Sequence, residues 1–156
     1  MNEENKNKKK VVAVSGGFDP VHPGHIRMFE QARRLGDELV IILNNDNWLL
    51  KKKGFVFMPE TERKEVLEAL RAVDRVILSS HPTNPEDMTV CNDLIALRPD
   101  IFANGGDRMQ NNTPEGVVCA ENGIKMEFGI GAGGKVESSS WLLNRYAEFI
   151  RGETKN

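Results

Sequence analysis

Short apolar runs alternate with segments of helical periodicity along most of this 156-residue chain, and this alternation constrains the fold more than any other feature. Five runs are short, apolar and rich in branched residues, which is typical of buried strands. They cover residues 11–15, 39–43, 76–78, 101–103 and 125–128. Consecutive parallel strands need crossover connections of this length, and the crossovers place helices on the sheet. The pattern therefore predicts an α/β fold.

Glycine, proline and capping residues mark the intervening helices. The predicted helices cover residues 24–36, 59–73, 85–97 and 113–122, whereas residues 44–58 are expected to form a loop. Helices between successive strands cover both faces of a sheet. We predict a Rossmann-like, mostly parallel five-stranded sheet with helices on both faces. Ligands of such sheets bind at the carboxyl ends of the strands, so the loops after the strands are the places to search for function.

Charge and cysteine content narrow the possible functions. The formal net charge of -2 gives no overall attraction to nucleic acid, and no apolar run reaches the roughly 20 residues that span a bilayer. We therefore expect neither a nucleic-acid partner nor a membrane partner. Cys91 and Cys119 form no CxxC pair, which is typical of a cytoplasmic protein. Residues 1–10 are expected to form a disordered basic tail, and residues 11–156 one domain.

The densest chemical pattern follows the first apolar run. It has the sequence Gly16-Gly17-Phe18-Asp19-Pro20-Val21-His22-Pro23-Gly24-His25. Its glycines let the backbone approach a ligand, and the following helix start offers N–H groups and a positive dipole end to a phosphate. His22 and His25 can both face one phosphate. The alternatives are two structural histidines or a zinc pair, but Asp19 is a poor third ligand and we expect no protein-bound metal ion.

This turn resembles the signature Gly-x-Phe-Asp-x-x-His-x-Gly-His of the HxGH nucleotidyltransferase superfamily, which it matches without a gap. Within the superfamily, the chain is most similar to glycerol-3-phosphate cytidylyltransferases and to adenylyltransferases that form ADP-heptose. The resemblance implies that a substrate phosphate attacks an NTP in line while His22 and His25 stabilise the α-phosphate. It also implies nucleotide contacts from Gly16, Gly17, Phe18, Asp19 and Gly24, Mg²⁺ carried by the NTP, and a homodimer.

Charged residues after the second predicted strand form a second group of candidate site residues. Lys52 corresponds by position to a lysine of the superfamily and is expected to act in catalysis. Asp46, Lys51 and Lys53 are expected to bind the substrate. A solvated run of loop charges is the alternative. Arg63, in the next helix, lines up with a phosphate-binding arginine of the superfamily, and its alternative role is an exposed ion pair.

Two further groups of candidate site residues lie in the carboxyl-terminal half of the chain. Asn104, Gly105 and Asp107 follow the fourth strand, where they can contact a base or a ribose. A similar Gly-Gly-Asp sequence follows this strand in heptose adenylyltransferases, although an ordinary turn has the same composition. The run Ser138-Ser139-Ser140 resembles the superfamily's triphosphate-binding motif. One of these serines is also a normal helix N-cap, and the arginine that cytidylyltransferases carry just before the motif is missing.

Two other features have a plainer interpretation. Trp48 and Trp141 can stack on a substrate, but aromatic residues near loop ends more often close the edge of a core. His81 follows the third predicted strand, where it is available to the site or inert.

These patterns together predict an enzyme that transfers a nucleotidyl group, preferably CMP, from an NTP to a small phosphorylated molecule such as glycerol 3-phosphate. The alternative within the class is an adenylyltransferase that acts on a heptose phosphate. Rivals from other classes are a nucleotide-binding module without turnover and a histidine-based metal hydrolase.

Overall fold

The computed structural model describes residues 7–105, 113–131 and 138–152, which form a five-stranded sheet and six helices. The sheet has the order β3-β2-β1-β4-β5, and every neighbouring pair of strands is parallel. The elements are β1 (Val11–Gly16), α1 (Pro23–Arg33), β2 (Glu38–Leu43), α2 (Asp46–Lys53), α3 (Glu60–Glu68), β3 (Arg75–Leu78), α4 (Cys91–Leu97), β4 (Ile101–Gly105), α5 (Pro114–Glu121), β5 (Lys125–Ile130) and α6 (Ser139–Arg151). The predicted α/β, Rossmann-like sheet is confirmed.

Side chains of the central strands are buried on both faces of the sheet. Val12 and Val14 of β1 join one apolar cluster, to which α1 contributes Phe29. Ala13, which points to the other face, joins a second cluster with Leu94 of α4. Helices therefore cover both faces, and this explains why the strands appear in the sequence as continuous apolar runs.

The strand order reverses at β1, and this sets the position of the site. From β1 the chain adds β2 and β3 on one side, then crosses over to add β4 and β5 on the other side. A crevice forms at such a reversal because the connections leave the two neighbouring strands in opposite directions. The carboxyl ends of β1 and β4 therefore flank the expected ligand position.

Helix α2 corrects the prediction of a loop over residues 44–58. Asn45 caps its start by accepting the N–H of Trp48, and Gly54 ends it in the left-handed conformation. Leu49 is the one buried residue of the helix, so the apolar periodicity that marks other helices is missing. Its last turn consists of lysines, which a helix carboxyl end favours.

Two other predicted helices are shorter in the structure. Residues 85–90 are not helical, and α4 begins at Cys91. Asp87 accepts hydrogen bonds from both the N–H and the hydroxyl of Thr89, at 2.8 and 2.7 Å, and this local turn competes with helix formation. Helix α3 ends at Glu68 instead of continuing to Val73.

The last helix, α6, leaves much of its apolar surface exposed. Tyr146, Phe149 and Ile150 are all exposed, and the rings of Tyr146 and Phe149 stack at 6.4 Å. Across the described ranges, none of the helices is long and apolar enough to cross a membrane.

Candidate active site

The start of α1 fixes both histidines of the turn through its own backbone. His22 is the N-cap, and its Nδ1 accepts the N–H of Gly24 at 3.1 Å. The Nδ1 of His25 accepts the N–H of His22 at 3.3 Å, which completes a reciprocal capping box. The two rings stack with their centroids 3.7 Å apart. The sequence therefore places the two imidazoles side by side without help from distant residues.

These hydrogen bonds determine where the imidazole protons lie. A ring nitrogen that accepts an N–H bond carries no proton, so the neutral form of each ring has its proton on Nε2. The stacked rings, whose planes differ by 27°, therefore each carry an N–H donor on Nε2. Such a pair can stabilise charge on the oxygens of a phosphate without any proton transfer.

The environment of His25 keeps its imidazole neutral. Burial, the neighbouring His22 and the positive charge of Lys53 together lower the pKa of His25 from 6.5 to about 3. The ring of Phe18 packs edge-on against His25 at 4.8 Å and contributes to its burial. At neutral pH this imidazole is a hydrogen-bond donor without a net charge.

The lowered pKa of His25 predicts a loss of stability in acid. The folded pKa lies below the unfolded value, so from pH 6.5 down to about pH 3 the unfolded chain binds more protons at this group. Its destabilising effect is absent above pH 6.5 and grows as the pH falls, by up to about 1.4 kcal/mol per pH unit. Urea unfolding of the wild type and of His25→Asn across this range measures the effect. We expect a shallower fall for the variant, and parallel curves would contradict the assignment.

A cleft of about 340 Å³ opens beside the histidines at the carboxyl ends of β1 and β4. This size is within the usual range of small-molecule sites. The cleft is lined by Ser15, Gly16, Gly17, Phe18, His25, Met28, Asn44, Trp48, Met88, Val90, Ala103, Asn104, Gly105 and Glu115. The structure thus brings the glycine-rich turn together with Asn104 and Gly105, as the sequence predicts.

Two of the predicted nucleotide-binding glycines are also packed closely by neighbouring side chains. A Cβ atom on Gly16 would lie 2.7 Å from the Phe18 ring, and one on Gly105 would lie 2.5 Å from the sulfur of Met28. Phe18 itself has a positive φ of 47°, which is uncommon for a residue other than glycine. Close packing of the chain against itself therefore accounts for part of the motif.

Asp19 holds another segment against the histidine turn. Its carboxylate, which is 2% exposed, accepts the N–H groups of Phe57 and Met58 at 2.7 Å each. The structure thus gives this residue, predicted to contact the nucleotide, the role of positioning the segment that follows α2. Backbone amides are the partners that a buried carboxylate needs.

Arg63 lies in the interior rather than at the surface. Its guanidinium is 1% exposed and donates to the carbonyls of Gly17, Asn44 and Met58 at 2.7 to 2.8 Å. It also pairs with the carboxylate of Asp46 at 2.7 Å. Arg63 therefore ties together the segments that follow β1 and β2, a role that neither the predicted phosphate contact nor the exposed ion pair describes. Asp46, predicted to bind the substrate, is engaged in the same arrangement.

The three lysines of α2 differ in their surroundings although all are exposed. Lys51 donates to Oδ1 of Asn84 at 2.9 Å, on the side of the loop after β3. Lys53 is the lysine whose charge acts on His25. The catalytic role of Lys52 stays a prediction.

The serine run connects the last helix to the histidine turn. Ser138 caps α6 by accepting the N–H of Trp141 at 3.0 Å, and the buried Ser139 donates its hydroxyl to the carbonyl of Pro20 at 2.7 Å. Ser140 is exposed. The positive end of α6 therefore lies beside the histidine turn, where it favours an anion.

Several lining residues escaped the sequence prediction. Asn44 directly follows β2, and Glu115 lies in the first turn of α5. For Trp48 the sequence favours the closing of a core edge over stacking on a substrate, but the residue lines the cleft and donates its indole N–H to the carbonyl of Met88 at 3.0 Å. The rule that ligands lie at the carboxyl ends of strands includes the predicted loop 44–58 and therefore Asn44, but no sequence motif singles this residue out within the loop. Asp107 lies outside the described residues.

The third histidine of the chain, His81, lies in the loop after β3. His81 is buried, and its ring contacts the hydroxyl of Ser79 at 2.7 Å and the carbonyl of Thr89 at 2.9 Å, so it stabilises its own loop. Within the part of the chain that the structure describes, no three His, Cys, Asp or Glu side chains lie close enough to hold a metal ion.

Two stacked histidines at a helix start, beside a cleft at the carboxyl ends of the strands, form an arrangement suited to a phosphorylated ligand. The chain belongs to the cytidylyltransferase-like family, whose sequence profile matches residues 13–128.

Individual relatives support the same class. An FAD synthase from Ferroglobus placidus is 40% identical over 119 residues, which cover 76% of this chain and 73% of that protein. A bifunctional protein HldE from Koribacter versatilis is 38% identical over 118 residues, but the chain spans only 22% of its length. A crystal structure of the lipopolysaccharide core biosynthesis protein from Thermoplasma volcanium superimposes with a TM-score of 0.58 at 26% identity, covering 78% of this chain and 94% of that one.

Proposed function

We propose that this protein transfers AMP from ATP to the phosphate of a small acceptor and releases pyrophosphate. The observation that carries the proposal is the stacked pair His22 and His25, whose Nδ1 atoms both accept backbone N–H groups, beside the cleft that His25 lines. These hydrogen bonds leave Nε2 of each neutral ring as the donor. The sequence alone favours CMP as the transferred group. The name of the relative FAD synthase supports AMP instead, because FAD consists of FMN joined to AMP through a pyrophosphate link.

In the proposed reaction, an oxygen of the acceptor phosphate attacks the α-phosphorus of ATP. The bond from the α-phosphorus to the β-bridging oxygen breaks, and pyrophosphate leaves with the electron pair. Negative charge on the α-phosphate oxygens is stabilised by the N–H donors of His22 and His25 and by the start of α1. The protein positions the reactants and forms no covalent intermediate. Mg²⁺, bound to the triphosphate, would neutralise part of its charge.

The acceptor is proposed to be FMN, with a heptose phosphate as the second candidate. Met28, Trp48, Met88 and Val90 give the cleft an apolar wall, which suits a flat ring better than a hydroxyl-rich sugar. The proposal retains a homodimer and a cytoplasmic location. Lys52 and Lys53 are proposed to attract the two phosphorylated substrates, since both are exposed on the last turn of α2.

Pyrophosphate release tests this proposal. ATP, CTP, GTP and UTP are each combined with FMN, a heptose phosphate or glycerol 3-phosphate in the presence of Mg²⁺, and products are separated by chromatography. We expect turnover with ATP, and FAD as the product from FMN. Turnover restricted to CTP and glycerol 3-phosphate would restore the preference for CMP.

Two further results would favour the rival classes. Nucleotide binding without turnover on any acceptor indicates a binding module. Inhibition by a chelator that excess Mg²⁺ does not reverse indicates a hydrolase with its own metal ion. We expect instead that excess Mg²⁺ restores full activity.

A further inference from the structure

The side chain of Asn44 has a buried amide oxygen that accepts no hydrogen bond from the described residues. The residue is 5% exposed and lines the cleft. Its Oδ1 is the one buried side-chain nitrogen or oxygen without a hydrogen-bond partner among the residues that the structure describes. Buried polar atoms are nearly always paired, so an orphaned oxygen in the wall of a cleft indicates a missing ligand.

The backbone of Asn44 is held on both sides, so the amide stays at the cleft. Its N–H donates to the carbonyl of Gly16 at 2.9 Å, and its carbonyl accepts from the guanidinium of Arg63 at 2.7 Å. The residue directly follows β2, and Trp48 of α2 lies on the same side of the cleft. Asn104 and Gly105 line the other side, at the end of β4.

We infer that the side chain of Asn44 hydrogen-bonds the acceptor and selects it by a group other than its phosphate. An amide oxygen needs an N–H or O–H donor, whereas an ionised phosphate offers only acceptors. The inference rests on the proposed function, in which AMP comes from ATP. The candidate base and ribose contacts Asn104 and Gly105 lie at the end of β4, so the amide at the end of β2 faces the part of the cleft that is left to the acceptor. A ring N–H, as in FMN, meets this requirement.

Asn44→Leu tests the inference, because leucine has nearly the same volume and forms no hydrogen bond. We expect KM for FMN to rise by about 10-fold or more, with KM for ATP changed less than about 2-fold. We also expect the denaturation midpoint to stay equal or rise, since the variant removes an unpaired buried group. A purely structural asparagine would lower the midpoint. Asn92→Leu, outside the cleft, is the matched control.

The possible outcomes separate this inference from the proposed function. An unchanged KM for FMN, or a rise confined to KM for ATP, overturns the role of Asn44 while the adenylyltransferase stands. If the wild type turns over no acceptor, the proposed function fails, and calorimetric titration with FMN alone decides the matter. Binding by the wild type that Asn44→Leu weakens 10-fold then supports the inference. Equal binding, or none, overturns it.

Discussion

Replacing His22 by asparagine is expected to lower kcat by about 100- to 1000-fold while the free energy of unfolding changes by less than about 0.5 kcal/mol. The two functions of the ring are carried by different nitrogens. Nδ1 accepts the N–H of Gly24 and caps α1, whereas in the proposed chemistry the N–H at Nε2 donates to the phosphate. The amide oxygen of asparagine can take the place of Nδ1, and asparagine is among the best N-caps, but nothing replaces the Nε2 donor.

Replacing His22 by glutamine is expected to have the opposite effects on activity and stability. In His22→Gln the longer side chain carries an amide N–H near the position of Nε2 and leaves the helix start uncapped. We expect this variant to lose about 1 kcal/mol of stability and to retain more activity than His22→Asn.

Steady-state kinetics with ATP and FMN, combined with urea unfolding of both variants, measures the two effects separately. The pair of substitutions serves as its own control, because each variant keeps what the other removes. If His22→Asn turned over at the wild-type rate, the imidazole would be structural and the proposed chemistry would lose its main support.

The second large effect is expected from Arg63→Met, which should lower the free energy of unfolding by about 3 to 5 kcal/mol. The side chain is almost fully buried, and its loss leaves three carbonyls and the carboxylate of Asp46 without their partner. Water reaches Asp46, which is 30% exposed in its side chain, so most of the cost comes from the buried carbonyls. Lysine cannot rescue the site, because a single ammonium does not reproduce the geometry of the guanidinium.

Arg75→Met is the matched control for this measurement. Arg75 pairs with Glu38 across β3 and β2, but its side chain is 51% exposed, and exposed pairs contribute less than about 1 kcal/mol. Urea unfolding of both variants compares the two arginines directly. A stable Arg63→Met protein with weakened ATP affinity would instead favour the phosphate contact that the superfamily resemblance implies.

The contrast between α1 and α2 shows which parts of the fold the sequence reveals. Helix α1 and the strands were predictable because burial against a sheet imposes apolar residues at fixed spacing. Helix α2 buries only Leu49 and owes its form to the caps Asn45 and Gly54, which a search for periodicity passes over. The predicted helix over residues 85–90 is wrong for the opposite reason. The carboxylate of Asp87 accepts the N–H of Thr89, a backbone group that a helix would have used.

In the candidate site, too, features set by local sequence were predictable and features set by distant partners were not. The geometry of His22 and His25 follows from hydrogen bonds within four consecutive residues, so the motif predicts it. The role of Asp19 depends on Phe57, 38 residues away, and that of Arg63 depends on partners that include Gly17, 46 residues away. The superfamily resemblance implies a nucleotide contact for Asp19 and a phosphate contact for Arg63, and the fold adds that both side chains join separate segments of the protein.

The hydrogen bond from Ser139 to Pro20 means that the surroundings of the histidine turn are completed only late in translation. A ribosome releases the histidine turn early, when none of its later neighbours exist, and 119 residues separate the turn from the hydroxyl that meets it. The start of α6 can reach the turn only after nearly the whole domain has emerged. The candidate site should therefore be complete only late in translation. A nascent chain that stalls before Ser139 would carry both histidines without the helix end that lies beside them.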